Sequence, residues 1–118
     1  MKKTLNICGI DVDFKATAST TIVYRKLFDR DIFRDIRKIK PQAESGEMDA
    51  EALEIFLNIA YTMAKQANPD ITDDVVEWLD QFEIFDIYFV LPEILDLWGN
   101  NMQELEKPKK KIEKQSGN

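Results

Sequence analysis

The groups in this chain with any claim to chemistry are carboxylates. Asn68, Asp70, Asp73 and Asp74 crowd into "NPDITDD", and Glu77 and Asp80 follow in "VVEWLD". Oxygen donors so close together suggest calcium, but an EF-hand loop wants Gly at its sixth position and Glu at its twelfth. Counted from Asn68, those positions hold Asp73 and Leu79. The cluster therefore reads as helix caps and turns, and no metal is expected. Asp73 and Glu77 are spaced for acid–base work, yet acids at helical spacing ordinarily form a solvated face. The chain has no histidine, the usual general base and metal ligand. Cys8 has no second cysteine to bond and no histidine to activate it, so it reads as a buried structural thiol. With four glycines and no GxGxxG or Walker pattern, there is little scope for a phosphate-cradling loop. Neither catalytic residue nor cofactor is expected.

Function then falls to surfaces. Asp73, Glu77 and Asp80 recur at helical spacing and mark an acidic docking face for a protein partner. Arg30 and Arg34 belong to a basic stripe, Lys26, Arg30, Arg34 and Arg37. That stripe meets either the acidic helices of its own chain or an outside partner. Between the acids of "WLDQFEIFDIYFVLPEILDLW" stand Trp78, Phe82, Phe85, Tyr88, Phe89 and Trp98. At 150–250 Å² each, these rings are many for a body of roughly 100 residues to hide. The expectation is that Trp78, Phe82, Phe85 and Phe89 mainly build the core, with the acids between them facing out.

The elements that must position these residues follow from periodicity. "TLNICGIDVDFKA" alternates apolar and polar around a glycine, which fits two short strands turning near Cys8-Gly9. A lone hairpin is marginal in water, so it must lie on helices or pair with another chain. Its free edges leave self-association or strand addition open. "ASTTIVYRKLFDRDIFRDIRKIK" reads as one helix capped at Ser19 or Thr20, with Tyr24, Phe28, Ile32, Ile36 and Ile39 as its apolar stripe. A loop is expected through "PQAESGEM". Asp49 caps a second helix, which carries Leu53, Phe56, Ala60, Met63 and Ala67 and ends at Asn68-Pro69. Thr72 is expected to cap a third, with a kink or restart near Leu91 because Pro92 lacks a donor. Gly99 and Asn100 should stop the last helix.

These elements make a mainly α, small α+β protein: a short N-terminal β-hairpin packed on about four helices. Residues 1–106 form the single domain, and the lysine-rich segment 107–118 is expected to be a flexible tail. The chain of 118 residues is 44% hydrophobic and 32% charged, ordinary for a globular domain. No apolar run approaches the ~18 residues of a membrane span, and Asn6 and Asp11 interrupt the signal-like start. A cytoplasmic protein is expected. Residues 1–40 hold ten Lys and Arg against five Asp and Glu, whereas 41–106 hold one lysine against sixteen acids. This imbalance favours docking between the two regions and leaves negative field to steer a partner. It argues against general nucleic-acid binding, which needs positive surface to release counterions.

Three phrases carry a resemblance: "FKATASTTIVYRKLFDRDI", "EIFLNIAYTMAKQANPDI" and "EWLDQFEIFDIYFVLPEILDLWG". From about Ile7 to Trp98 the chain resembles tail assembly chaperones of long-tailed bacteriophages and prophages of Gram-positive bacteria. The family pattern has Gly where this chain has Asp29 in "LFDRD". The resemblance implies a small protein of the host cytoplasm, absent from the mature virion. It would bind tape measure protein, major tail protein or both during tail morphogenesis, and a longer frameshifted product often accompanies it. Two alternatives stand beside this reading. One is an acidic regulator or inhibitor occupying a basic nucleic-acid-binding surface, and the other is a structural tail subunit.

Overall fold

A computed structural model describes residues 2–98. The fold is mainly α, with an antiparallel hairpin of β1 (Lys2–Ile7) and β2 (Ile10–Lys15) followed by helices. These are α1 (Ala18–Phe28), α2 (Ile32–Ser45), α3 (Ala50–Ala67), α4 (Val75–Leu79) and α5 (Ile84–Phe89). A last helical stretch, α6, occupies 91–98. The helix stop expected at Gly99 and Asn100 and the tail expected over 107–118 lie outside the described residues.

The hairpin turns at Cys8-Gly9, where both residues have positive φ (55° and 82°). A two-residue turn of that kind matches the twist of the flanking strands. Alternation then decides the faces: Leu5, Ile7, Val12 and Phe14 are buried, while Thr4, Asn6 and Asp11 face out. Cys8 itself sits exposed at the turn, which corrects the expectation of a buried thiol. The two tip positions of a hairpin project past the sheet face that packs.

α3 is the hub. Asp49 caps it as expected, its carboxylate accepting from the Ala52 N–H at 2.8 Å. Phe56, Ala60 and Met63 of the expected stripe are buried, but so are Ile55, Ile59, Tyr61, Thr62 and Ala64. The hairpin, α1, α2 and α4 all pack on it, so its apolar face wraps most of the way round. Thr62 turns its hydroxyl back to the Asn58 carbonyl at 2.8 Å and so stays satisfied in the core.

The single helix expected through "YRKLFDRDIFRD" is two. Asp29 adopts φ 55°, ψ 42° and ends α1, its N–H bonded to the Arg25 carbonyl. Asp31 then starts α2, accepting from the Phe33 and Arg34 N–H groups. Periodicity could not reveal the break, because Tyr24, Ile32, Ile36 and Ile39 are buried on both sides of it. Thr17 caps α1, not Ser19 or Thr20, and Thr20 completes a capping box as its N3 residue.

Pro41 does not open the expected loop either; α2 runs on to Ser45 and stops at Gly46 in the left-handed region. Proline in a helix interior ordinarily costs ~3 kcal/mol. Here the turn beyond it is tied down, since the Gln42 side chain accepts from the Asp49 N–H at 2.9 Å and binds α2 to the start of α3.

The largest departure is the segment after α3. Asp74, not Thr72, caps α4, and the chain turns through 80–83 before α5 begins. Trp78 is buried and Phe82 half-buried, but Phe85 is 72% and Phe89 76% exposed. Only Trp78 and Phe82 of the four expected core rings pack inward. The reason is angular. Ile87 is the buried residue of α5, and positions two before and two after it lie about 200° round the helix. Phe85 and Phe89 must therefore point away. A restart near Leu91 does occur, at the turn of Val90, with Pro92 in the first turn of α6 where its missing donor costs nothing. α6 returns Ile94, Leu95 and Trp98 to the core. Among the described residues no helix is long and apolar enough to cross a membrane.

Candidate functional site

Two features of the described surface stand out: an apolar face on α5 and a charged corner between α1 and α2. On α5, Ile84 is 59% exposed, and with Phe85 and Phe89 it gives this helix more exposed large hydrophobic side chains than any other among the described residues. Glu83 caps that helix and Asp86 lies in its first turn, so carboxylates border the rings. The hairpin tip reaches the same region. The neighbouring Asp86 carboxylate raises the pKa of the Cys8 thiol, which makes this cysteine a poorer nucleophile. Glu93 of α6 pairs with Lys3 of β1 at 3.8 Å, linking the hairpin to α6.

The rings of the segment divide by role. Trp78 packs edge-on to Tyr61 at 5.7 Å and to Phe82 at 5.0 Å. Trp98 meets Phe33 edge-on at 5.8 Å and donates its indole N–H to the Met63 sulfur. Such pairs fasten α4 and α6 to the body, whereas Phe85 and Phe89 make no ring contact among the described residues.

The acidic residues singled out in the sequence do not form one helical face. Asp73 precedes α4, is almost fully exposed and pairs with Lys65 at 2.9 Å. Lys65 also donates to the Pro69 and Ile71 carbonyls, closing the α3–α4 loop. Glu77 is on α4 and accepts from Thr72. Asp80 ends that helix and is exposed. Asp73 and Glu77 line different hollows, one beside Leu27 and Val75, the other beside Asp11 and Asp70.

Arg30 and Arg34 line a mixed-charge cleft of about 780 Å³ with Asp29, Asp31, Arg37 and Lys38. Arg30 is spent within the chain: its Nε and Nη2 donate to the two Asp35 oxygens at 2.8 Å each. Tyr24 donates to the same carboxylate at 2.7 Å. Burial alone would raise the Asp35 pKa, but these donors outweigh it and hold the carboxyl below its ordinary range. The Tyr24 hydroxyl is pushed well above its usual value by burial and by that carboxylate. Arg34 is exposed and makes no ion pair among the described residues. Lys38 does reach the acidic half, pairing with Glu51 at 2.6 Å.

Sequence reasoning missed Asp35 and Tyr24 as a unit, and the signal was there. Asp35 falls between Ile32, Ile36 and Ile39 on the apolar stripe, and a carboxylate in a core position needs partners. Among the described residues no group of acids and cysteine is placed to hold a metal ion. Comparisons with models of protein families, with curated proteins and with solved structures find no match to this chain.

Proposed function

We propose that this chain is a non-catalytic tail assembly chaperone of a long-tailed bacteriophage or prophage. It binds tape measure protein, major tail protein or both in the host cytoplasm during tail morphogenesis and leaves before the virion matures. The observation that carries the reading is the solvent-facing Phe85 and Phe89 on α5, bordered by Glu83 and Asp86. Rings one turn apart suit the apolar anchors of an amphipathic helix laid against them. The surrounding acids supply solubility and speed encounter with a basic client. A tape measure protein consists of long amphipathic helices that need such cover before assembly. The three phrases of resemblance, from about Ile7 to Trp98, support the same client.

Two alternatives remain distinct outcomes. An inhibitor of a nucleic-acid-binding protein would use the acidic field and not need the rings, and a structural subunit would stay in the finished tail. The test is co-expression with the tape measure and major tail proteins encoded in the same phage genome, followed by affinity capture through this chain. Capture of either protein, lost in a Phe85→Ala/Phe89→Ala double variant, supports the proposal. Capture of neither, or presence of the chain in purified virions, overturns it.

A further inference from the structure

The hairpin has an outer edge, and its hydrogen-bonding groups can be placed residue by residue. The two-residue turn makes Ile7 and Ile10 the bonded pair that closes it. Bonded pairs recur at every second residue, so Leu5–Val12 and Lys3–Phe14 follow. The backbone groups of Asp11 and Asp13 therefore point away from β1. Among the described residues those groups make no hydrogen bond, and no third strand joins the sheet.

That edge opens into a groove of about 490 Å³, to which β2 contributes and β1 does not. Its far wall is the segment after α3 and the outer side of α4, including Asp70, Ile71, Glu77 and Gln81. Four carboxylates line it, those of Asp11, Asp13, Asp70 and Glu77, and no lysine or arginine does. Two are partly engaged across the sheet: Asp11 accepts from Asn6 at 2.9 Å, and Asp13 accepts from Thr4 and lies 3.9 Å from Lys2. Ile10, 36% exposed, supplies an apolar contact at one end.

We infer that this groove binds an extended, lysine- or arginine-bearing segment of a partner protein, which adds to the free edge of β2 as a third strand. Main-chain bonds to Asp11 and Asp13 would give affinity, and alternate basic side chains would meet the carboxylates on one face of the added strand. A second copy of this chain fits less well, because pairing β2 with β2 sets Asp11 and Asp13 against their own charges. A helical occupant would leave the edge unbonded. The inference is independent of the chaperone reading, since it uses the β2 edge and not the rings of α5.

The experiment measures fluorescence anisotropy of a labelled short peptide alternating lysine with threonine, titrated with the full chain. A second peptide carries N-methyl groups on every other amide, which keeps the charge and removes strand pairing. A third has glutamate for lysine. The lysine peptide should bind, the glutamate peptide should not, and N-methylation should weaken binding about tenfold or more, as loss of two backbone hydrogen bonds implies. Asp11→Pro removes an outward donor and one lining carboxylate while leaving every β1–β2 backbone bond in place, and should weaken the lysine peptide at least as much while circular dichroism stays unchanged. If that variant fails to fold, the N-methyl comparison decides alone. Equal binding of methylated and unmethylated peptides overturns the inference, as does no binding of the lysine peptide. Binding that appears only after Lys107, Lys109, Lys110, Lys111 and Lys114 are changed to Gln makes the chain's own C-terminal segment the occupant and also overturns it. So does concentration-dependent dimerisation abolished by Asp11→Pro.

Discussion

The Arg30 guanidinium and the Asp35 carboxylate meet through two hydrogen bonds of 2.8 Å across the corner where α1 turns into α2. Tyr24, from the far side of the corner, completes the arrangement. Tyr24 and Asp35 are eleven residues apart, and a straight helix would separate them by about 16 Å. Tyr24 thus reaches this carboxylate only when the chain is bent.

Asp35→Asn should destabilise the fold by roughly 1.5–3 kcal/mol, the range of hydrogen bonds to charged groups. Arg30 remains half-exposed and can rehydrate, which keeps the loss from being larger. The folded pKa of Asp35 is lowered, so the stability it adds is present above its unfolded pKa of about 4 and fades as pH falls through the folded value. Urea midpoints of the wild type should therefore lose this contribution only below about pH 4, as pH falls toward the folded value. The difference between wild type and Asp35→Asn should shrink over the same interval, and a constant gap would contradict the assignment.

Asp29 is the only residue besides the hairpin tip and Gly46 with positive φ among the described residues. Asp29→Gly should be neutral or stabilising by up to about 1 kcal/mol, and Asp29→Ala destabilising by a similar amount. The two variants should move the thermal midpoint in opposite directions. Equal destabilisation would mean that the Asp29 side chain, not its backbone, holds the corner.

Phe85→Ala should cost well under 1 kcal/mol, because the ring is 72% exposed. Trp98→Ala, at 2% exposure and edge-on to Phe33, should cost ~3–5 kcal/mol. Chemical denaturation of the pair checks the division of labour within one segment. A large loss from Phe85→Ala would place that ring in the core after all.

Changing Asp73, Glu77 and Asp80 together to Asn, Gln and Asn should leave the fold intact. Asp73 is itself almost fully exposed, so its pair is worth ~0–1 kcal/mol, and the part-buried Lys65 keeps its Pro69 and Ile71 carbonyl acceptors. Under the proposed function, capture of a tail protein should slow through its association rate, and the wild-type rate should fall with salt over a Debye length of ~8 Å. Stopped-flow binding at two ionic strengths measures both. A change confined to dissociation would assign these acids to direct contact.

The hairpin, the Asp49 cap and the buried stripe of α3 were legible in the sequence, since each rests on neighbours within a few residues. Turn chemistry at Cys8-Gly9 and alternation from Leu5 to Phe14 need no distant partner to be recognised. The α1–α2 corner was not legible. The apolar stripe runs through it without a gap, and a lone Asp in the left-handed region leaves no compositional mark. Pro41 misled in the opposite sense, because the bond between Gln42 and Asp49 that holds the turn after it spans the loop to α3.

The candidate site shows the same limit. Composition showed that the segment from Trp78 to Trp98 has more rings than its body can readily hide, but not which of them stay outside. That depended on α4 and α5 being two short helices and not one, which set Ile87 inward and swung Phe85 and Phe89 to the opposite side. Local spacing determines which residues share a face of a helix. Only packing against α3 and its neighbours decides where each helix stops and which face is left to water.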